Sequence, residues 1–386
     1  MRDRSACAIT ERRQHMKRTI VFYIATLTRG GAERVIVNLA NYFCREGYLV
    51  YLVTLEPDEG LYPIEEEVRQ VVLADRAGGG MIGRICNAAG RITGVRRLLK
   101  RTRAVALVSF IGKTNLRAIL AGLFLPTRVF VSVRSAPARE YPAGMLRWLA
   151  KGLFCLADGI VFQSEGARDF FPKMARGKSR VMFNPLSPDY VRPLYQGERR
   201  NEIVTVGRLD QVKNHRLLLE AFFLVTTARP ELGLHLTIYG GGECMEALRA
   251  QAVSLGVEAQ VSLPGDCRDI AERIQDARIF VLSSDFEGMP NAVAEAFALG
   301  IPVVSTDCPS GGARMLTGRD ERGLLVPVRD AQKMAEAILR ILDDKELEER
   351  LRTAAYAFSL SLHPDRIHGM WKTYIEEICR DGYEWK

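Results

Sequence analysis

Short apolar runs alternate with helical patterns along almost the whole chain, and this alternation restricts the fold more than any other feature. The run 18–24 (RTIVFYI) is rich in β-forming residues and predicts a buried strand. Residues 32–46 follow with apolar side chains at helical spacing, and 48–55 (YLVYLVTL) predicts the next strand. A strand, a helix and a strand in this order form a βαβ unit, which requires a parallel sheet.

The same alternation continues through two series of elements. The first series predicts further strands at 69–73, 104–110, 128–133, 159–163 and 179–184, and the second predicts strands at 202–206, 234–239, 260–263, 278–283, 301–305 and 323–326. Helical patterns lie between the strands at 83–102, 113–125, 142–156 and 165–173, and then at 214–228, 243–255, 267–275, 291–299, 330–342, 345–358 and 365–380. The sequence therefore predicts an α/β protein with two Rossmann-like, doubly wound parallel sheets.

A segment with three prolines, 184–200, separates the two series and is typical of an interdomain linker. We expect a disordered extension over 1–16, a first domain over 17–190 and a second domain over 191–365. A last helix within 366–386 is expected to pack back toward the first domain. Since ligands of such sheets bind beyond the carboxyl ends of the strands, two facing domains place their ligand in the cleft between them.

Charge is distributed unevenly between the two halves of the chain. Residues 1–200 hold 33 Lys and Arg against 17 Asp and Glu, whereas the remaining 186 residues hold 21 against 29. No acidic residue lies between Asp75 and Glu140, while 13 Lys and Arg do. Such a surface attracts phosphates, anionic lipid or nucleic acid, and a basic face that contacts only solvent is the alternative.

The sequence favours a cytoplasmic protein that touches a membrane without crossing it. Residues 1–16 lack the apolar core of a signal peptide, and the apolar stretch 116–125 is shorter than the roughly 20 residues of a spanning helix. Helix 83–102 is basic and amphipathic, so it is expected to lie on the cytoplasmic face of an anionic membrane. The alternative is a helix that packs within the domain and exposes its basic face to solvent. The cysteines have no zinc-binding spacing.

A turn with two cations follows the strand 202–206. Gly207 and Arg208 end the strand, and Lys213 stands just before the next helix. The N-terminus of a helix attracts anions, an arginine can bind two phosphate oxygens at once, and a lysine adds a point charge. The turn is therefore a candidate diphosphate site, and a surface loop with two solvated cations is the alternative.

Two glutamates lie eight positions apart after the strand 278–283. Glu287 stands in the turn, and Glu295 stands about one turn into the following helix. Carboxylates suit sugar hydroxyls as charged hydrogen-bond acceptors. The alternative is that both carboxylates only balance the dipole of the helix N-terminus.

Taken together, these motifs resemble the retaining GT-B glycosyltransferases of family 4. The resemblance rests on GlyGlyAlaGluArg at 30–34, GlyArgLeu at 207–209 with Lys213, TyrGlyGlyGlyGlu at 239–243, and the glutamate pair followed by GlyIleProValVal at 300–304. It covers roughly residues 17–380, and the motifs come in the family's order. The resemblance implies two Rossmann-like domains that face each other across a cleft.

The resemblance also implies a role for each site residue. Arg208 and Lys213 resemble the pair that holds the donor diphosphate, with Glu287 near the donor sugar and Glu295 on the nucleotide ribose. The remaining donor-site residues implied are Gly30 and Gly31, which close on the phosphates, Gly207, Gly240, Arg268 at the base, and the turn Gly288, Met289, Pro290 and Asn291.

On the acceptor side this sequence departs from many members, which carry a histidine after a late strand of the first domain. Here Arg134 follows the strand 128–133, in a segment that resembles a subgroup of polysaccharide transferases. Arg134 is therefore the candidate for an acceptor or phosphate contact.

The resemblance implies transfer of a hexose or N-acetylhexosamine, from a donor that is UDP-linked, to a glycolipid or polysaccharide precursor with retention of configuration. No metal and no other cofactor are expected, since two cations can offset the charge of the leaving diphosphate and the chain has no Asp-x-Asp motif. The partners expected are the donor, a lipid-linked or oligosaccharide acceptor and an anionic membrane surface, without nucleic acid. A sugar-nucleotide epimerase on the same architecture, or a non-catalytic basic module that binds membrane or nucleic acid, are the alternatives.

Overall fold

A computed structural model describes residues 18–380 except 29, 59, 76, 77 and 79, so the extension predicted at 1–16 lies outside the described residues. Within this part of the chain the strands form one sheet of seven and one sheet of six. Every strand pairing in both sheets is parallel. The α/β class with two doubly wound parallel sheets is thereby confirmed.

The strands alternate with helices in both halves of the chain. The strands are β1 (Thr19–Tyr23), β2 (Leu49–Thr54), β3 (Arg69–Val72), β4 (Ala106–Phe110), β5 (Arg128–Val133), β6 (Gly159–Phe162), β7 (Ser179–Val181), β8 (Arg200–Val206), β9 (His235–Tyr239), β10 (Val261–Gly265), β11 (Ala277–Leu282), β12 (Val303–Thr306) and β13 (Leu324–Val326). The helices are α1 (Gly31–Arg45), α2 (Gly80–Thr102), α3 (Gly112–Gly122), α4 (Pro137–Glu140), α5 (Met145–Phe154), α6 (Glu165–Asp169), α7 (Lys173–Arg176), α8 (His215–Ala228), α9 (Met245–Leu255), α10 (Ile270–Ile274), α11 (Asn291–Ala298), α12 (Gly312–Thr317), α13 (Ala331–Asp343), α14 (Lys345–Ser359) and α15 (Pro364–Arg380).

Each sheet reverses its strand order at one point, and these points determine where a ligand can bind. The first sheet runs β3-β2-β1-β4-β5-β6-β7 and the second runs β10-β9-β8-β11-β12-β13. The reversals fall between β1 and β4 and between β8 and β11. Loops that leave such a pair of strands diverge to opposite faces and open a crevice at the carboxyl ends of the strands. The cationic turn follows β8 and the glutamate turn follows β11, so both lie at the crevice of the second sheet.

Buried apolar side chains cover both faces of each sheet. In the first domain α1 and α15 pack on one face, and α2, α3 and α5 pack on the other. Helix α15 comes from the carboxyl end of the chain, yet it lies on the first sheet. The Trp371 ring is 5.7 Å from the Phe110 ring, and the Tyr374 hydroxyl accepts a 3.0 Å hydrogen bond from the Ile160 N–H. This crossover ties the two halves of the chain together.

Three predicted helices differ from the observed ones for local reasons. The pattern at 165–173 divides into α6 and α7 because Pro172 cannot continue a helix. The pattern at 267–275 shortens to α10 because Asp269 adopts a left-handed conformation (φ +56°). Helix α5 begins at Met145 because Gly144 has φ +102°. None of the helices in the described ranges is both long and apolar enough to span a bilayer.

Candidate active site in the cleft between the two domains

The loop between β8 and α8 brings Lys213 to the N-terminal end of a helix. Asp210 Oδ1 accepts hydrogen bonds of 3.0 Å from the backbone N–H groups of Val212 and Lys213, which closes the loop into a tight turn. Asn214 then adopts a left-handed conformation (φ +46°), and α8 begins at the next residue. The outward N–H groups at the start of a helix favour anions, so this corner is suited to phosphate.

Arg208 extends from the same loop toward solvent. Its side chain is 71% exposed, and its guanidinium lies 3.1 Å from Asp210 Oδ2. An exposed ion pair of this kind is weak, and a guanidinium has five N–H donors. Arg208 can therefore turn to an anion in the cleft at little cost.

Gly240 allows the loop after β9 to pack directly against this corner. Its φ is +132°, and a Cβ at this position would lie 2.0 Å from the Gly207 carbonyl oxygen. Gly207 in turn donates a 3.0 Å backbone hydrogen bond to the Tyr239 carbonyl. A side chain at position 240 would separate the two loops, so glycine is required there for steric reasons.

The first glutamate of the pair meets the cationic corner. Lys213 Nζ lies 2.6 Å from Glu287 Oε1, and the Ser284 hydroxyl donates a 2.7 Å hydrogen bond to the same oxygen. The Ser283 hydroxyl donates to the Lys213 carbonyl at 2.9 Å. The turn after β11 is therefore bonded to the turn after β8, as their positions at the strand-order reversal require.

The second glutamate contacts the first domain. Glu295 is 7% exposed on α11, and its Oε1 accepts a hydrogen bond from the guanidinium of Arg34 on α1. The neighbouring carboxylate raises the pKa of Arg34 above its ordinary value. In the sequence, Arg34 stands out only as part of the motif at 30–34, which assigns it no role. Its helical phase alone could not identify a partner 261 positions away.

The Gly30–Gly31 segment lies against the start of α11. A Cβ on Gly31 would lie 2.5 Å from Asn291 Nδ2, so the two domains approach more closely here than a side chain would allow. Asn291 Oδ1 also accepts a 2.6 Å hydrogen bond from Asn184. Gly30 is held in place by the Tyr62 hydroxyl, which lies 2.8 Å from its N–H.

The turn Gly288–Pro290 faces the carboxyl ends of β5 and β6. A Cβ on Gly288 would lie 2.4 Å from the Arg134 carbonyl oxygen, and the Asn184 N–H is 3.3 Å from the Met289 sulfur. Pro290 precedes α11 and is buried. The predicted donor-site turn is therefore packed against the first domain.

Arg134 is buried in the first domain and lacks hydrogen-bond partners. Its guanidinium lies 4.1 Å from the centre of the Phe110 ring, and none of its three side-chain nitrogens has a hydrogen-bond partner among the described residues. Burial lowers the pKa of Arg134 to about 9, although the charges of Glu140 and Glu33 oppose this shift. Glu140 accepts hydrogen bonds from the backbone N–H groups of Gly112, Arg134 and Ser135.

Arg268 lies further from the paired residues. It stands in the exposed loop between β10 and α10, where its carbonyl accepts a 3.1 Å hydrogen bond from Arg273. Within the described ranges no three His, Cys, Asp or Glu side chains are grouped to hold a metal ion. The structure thus joins Lys213 to Glu287 and Glu295 to Arg34, and it leaves Arg208 and Arg268 exposed.

Solved structures share this two-domain architecture. A crystal structure of Anabaena HepE in complex with UDP matches with a TM-score of 0.75 at 16% identity, over 94% of this chain and 100% of that one. The sucrose-phosphate synthase of Thermosynechococcus elongatus matches with a TM-score of 0.78 at 16% identity, over 95% and 100%. The fold is therefore GT-B, the two-domain fold of a large class of glycosyltransferases.

Two family models match nearly all of the two domains. Residues 29–190 match the model described as Glycosyltransferase Family 4, and residues 200–344 match the model described as Glycosyl transferases group 1. The chain therefore belongs to the family 4, group 1 glycosyltransferases.

Curated relatives match over most of the length of both proteins. A Campylobacter jejuni protein is 25% identical over 93% of this chain and 98% of its own. It is named as an α-1,4-N-acetyl-D-galactosaminyltransferase that acts on a saccharide linked to undecaprenyl diphosphate. A second Campylobacter jejuni protein, 27% identical over 87% and 94%, is named as a 4-α-N-acetylgalactosaminyltransferase with a related lipid-linked substrate.

Proposed function

We propose that this glycosyltransferase moves a hexose or N-acetylhexosamine from a UDP-linked donor to a lipid-diphosphate-linked saccharide, with retention of configuration. The observation that carries the proposal is the contact of 2.6 Å between Lys213 and Glu287 at the N-terminal end of α8. It joins a cation suited to phosphate and a carboxylate suited to sugar hydroxyls in one cleft. The names of the Campylobacter relatives and the UDP in the HepE structure support the substrate classes.

Charge on the leaving diphosphate is the main electrostatic problem of this reaction. Glu287 occupies only one of the three N–H donors of Lys213, so the others can bind phosphate oxygens. Arg208 adds a mobile guanidinium, and the first turn of α8 adds backbone N–H groups. Because these groups are largely in place before the donor binds, they stabilise the developing charge with little reorganisation.

The glutamates position the rest of the donor. Glu287 accepts hydrogen bonds from hydroxyls of the transferred sugar, and the backbone N–H groups of Gly288, Met289 and Asn291 lie beside it. Glu295 uses its second oxygen for the ribose, while Arg34 holds the first. Gly30 and Gly31 close over the phosphates, and the backbone at Arg268 meets the base.

Bond exchange takes place on one face of the donor sugar. The bond from the anomeric carbon to the diphosphate oxygen breaks, and a bond to the acceptor hydroxyl oxygen forms on the same side. The hydroxyl proton passes to an oxygen of the leaving diphosphate, so no side chain is required as a base. We assign no metal to this step, because the cationic corner offsets the charge.

The first domain supplies the acceptor side of the cleft. Arg134 is a buried cation at the end of β5 without hydrogen-bond partners among the described residues, and its charge would attract an anionic acceptor group to this side of the cleft. The basic surface of this domain holds the enzyme on an anionic membrane, which brings lipid-linked acceptors within reach.

A donor screen followed by product analysis tests this function. We expect UDP-sugars to raise the melting temperature more than GDP-mannose does, since only a bound ligand stabilises the folded state. Transfer to a lipid-diphosphate saccharide should release UDP, persist in EDTA and give a product with the donor's anomeric configuration by proton NMR. Stabilisation by GDP-sugars alone, an inverted product, or epimerisation of the donor without transfer would each contradict the proposal.

A further inference from the structure

Helix α5 has apolar side chains on both of its faces. Its inner face buries Ala150, Leu153 and Phe154 in the first domain. On its outer face Met145 is 84% exposed, Trp148 is 79% exposed and Leu149 is 42% exposed. We call these three outer residues the α5 stripe. Their spacing of three and four positions places them on one side of the helix.

An exposed stripe of this kind is unusual for a surface helix. Single exposed apolar residues are common on soluble proteins, whereas contiguous ones mark interaction sites. Leu156 is also 55% exposed and continues the stripe just beyond the end of α5. Tryptophan and methionine are moreover side chains that suit the boundary between lipid headgroups and acyl chains.

Cations flank the stripe on α5 itself. Arg147 and Lys151 lie on the flank of α5, where the Lys151 ammonium is 4.6 Å from the centre of the Phe170 ring. The segment 141–157 contains no Asp or Glu. A protein partner would find few acceptors for its own cations there, whereas an anionic bilayer matches both the apolar stripe and its basic border.

The basic helix that the sequence singled out for membrane contact buries the apolar face of its carboxyl half, while Met81, Ile82 and Ile85 in its amino half stay exposed. In α2, Val95, Leu98 and Leu99 are buried in the core. The Arg91 guanidinium is bonded to Asp75 at 2.6 and 2.9 Å, and Arg96 donates to backbone carbonyls of the loop after α3. The apolar face of the carboxyl half of α2 is therefore unavailable to lipid.

The α5 stripe also lies close to the cleft. Helix α5 follows Arg134 by eleven positions, through α4 and the turn at 141–144, so it begins at the carboxyl end of β5. The carboxyl ends of the strands border the cleft. A bilayer that holds Met145 and Trp148 would therefore hold the acceptor side of the cleft at headgroup level.

We propose that α5 is the membrane-docking element of this protein, with Met145, Trp148 and Leu149 inserted into the interface of an anionic bilayer. The reason for membrane docking rests on the proposed function, because a lipid-linked acceptor has to be collected at a membrane. The choice of residues rests only on the exposure and the charges of α5.

Trp148 supplies a native probe for the test. In a Trp385→Phe background the tryptophans are Trp148 and Trp371, and Trp371 is 1% exposed. Mixing this protein with vesicles of phosphatidylglycerol and phosphatidylethanolamine should shift the emission to shorter wavelength, and brominated lipid should quench it. Emission that does not change while the protein cosediments with vesicles overturns the proposal.

A triple variant tests the stripe as a whole. M145S/W148S/L149S should lower vesicle partitioning at least tenfold. Val253→Ser with Leu360→Ser, at sites 63% and 59% exposed in the carboxyl-terminal half, is the matched control and should bind as the wild type does. Wild-type partitioning by the triple variant overturns the proposal. So does a concentration-dependent dimer that the triple substitution abolishes while vesicle binding persists.

Activity on a water-soluble acceptor separates this inference from the proposed function. The triple variant should transfer sugar to a short-chain diphosphate saccharide at the wild-type rate and lose activity only on vesicle-embedded acceptor. A wild-type protein that binds vesicles through Trp148 yet transfers to neither acceptor contradicts the proposed function alone. A triple variant that retains full activity on vesicle-embedded acceptor contradicts the docking proposal alone.

Discussion

Replacing Arg134 with methionine should make the protein more stable and less active. Arg134 is 7% exposed, and its guanidinium nitrogens have no hydrogen-bond partners within the described residues. Burying an unpaired cation is costly, and sites that keep such a cost generally do so for function. Methionine has a similar length and no charge, and it can pack on the Phe110 ring in place of the guanidinium.

The magnitude follows from the environment of the guanidinium. Lowering the pKa of Arg134 from 12.5 to about 9 corresponds to a penalty of about 5 kcal/mol on its charged form. The contact with Phe110, at 4.1 Å, returns up to about 2 kcal/mol, and methionine replaces only part of it. Exchanging buried ionic groups for apolar ones of similar volume is often neutral or stabilises a protein by about 1–4 kcal/mol. We expect a gain of about 1–3 kcal/mol.

Denaturant unfolding without ligand, together with steady-state kinetics, measures both effects. The Arg134→Met variant should unfold at a higher urea concentration and lose at least tenfold in kcat/KM for the acceptor. Arg134→Lys keeps the charge and should recover part of the activity but none of the stability. A methionine variant that is less stable than the wild type, or that retains full activity, would refute the assignment of an unpaired functional cation.

Three further predictions concern the domain contacts and the pH dependence. Gly288→Ala should impair domain closure and lower kcat/KM at least tenfold, because its Cβ would lie 2.4 Å from the Arg134 carbonyl oxygen, while Gly90→Ala, with no atom within 4 Å, should have no effect. Arg34→Ala and Glu295→Gln should show a coupling of about 1.5–3 kcal/mol in a double-mutant cycle of unfolding, and a value near zero would exclude the interdomain bond. Burial lowers the pKa of His215 to about 4, so the unfolded chain binds a proton between pH 6.5 and 4 that the folded one does not. The free energy of unfolding therefore falls as the pH falls through this window. In urea unfolding, His215→Gln should remove up to about 3 kcal/mol of that loss. His235→Gln, at the exposed start of β9, is the control and should leave the loss unchanged.

Much of the fold follows from local patterns in the sequence. The runs that become β1, β8 and β11 are short, apolar and bounded by turn residues, so their type and order were predictable. The ends of the elements were less predictable, because they depend on single residues such as Pro172 and Asp269. The left-handed conformation of Asp269 is moreover one that only the surrounding chain selects.

In the site, too, local patterns predict some contacts and not others. Lys213 and Glu287 could be expected to meet, because each follows a strand at the reversal of strand order, and the structure places them 2.6 Å apart. The bond between Arg34 and Glu295 could not be predicted, since it depends on how the two domains pack against each other. The exposure of the outer face of α5 could not be predicted either, because apolar residues all around a helix do not reveal which side is buried.

The rate of sugar transfer by Arg208→Ala and Lys213→Ala measures directly whether these two cations hold the donor diphosphate. Each substitution removes a cation from the diphosphate site and should raise the free energy of the transition state by about 2.7–4 kcal/mol. The corresponding fall in kcat/KM is roughly 10²–10³-fold. Arg216→Ala removes an exposed cation from the first turn of α8 and serves as the control. We expect a large loss for the first two variants and little change for the third. Transfer at the wild-type rate, with unchanged donor affinity, by either Arg208→Ala or Lys213→Ala would contradict this expectation.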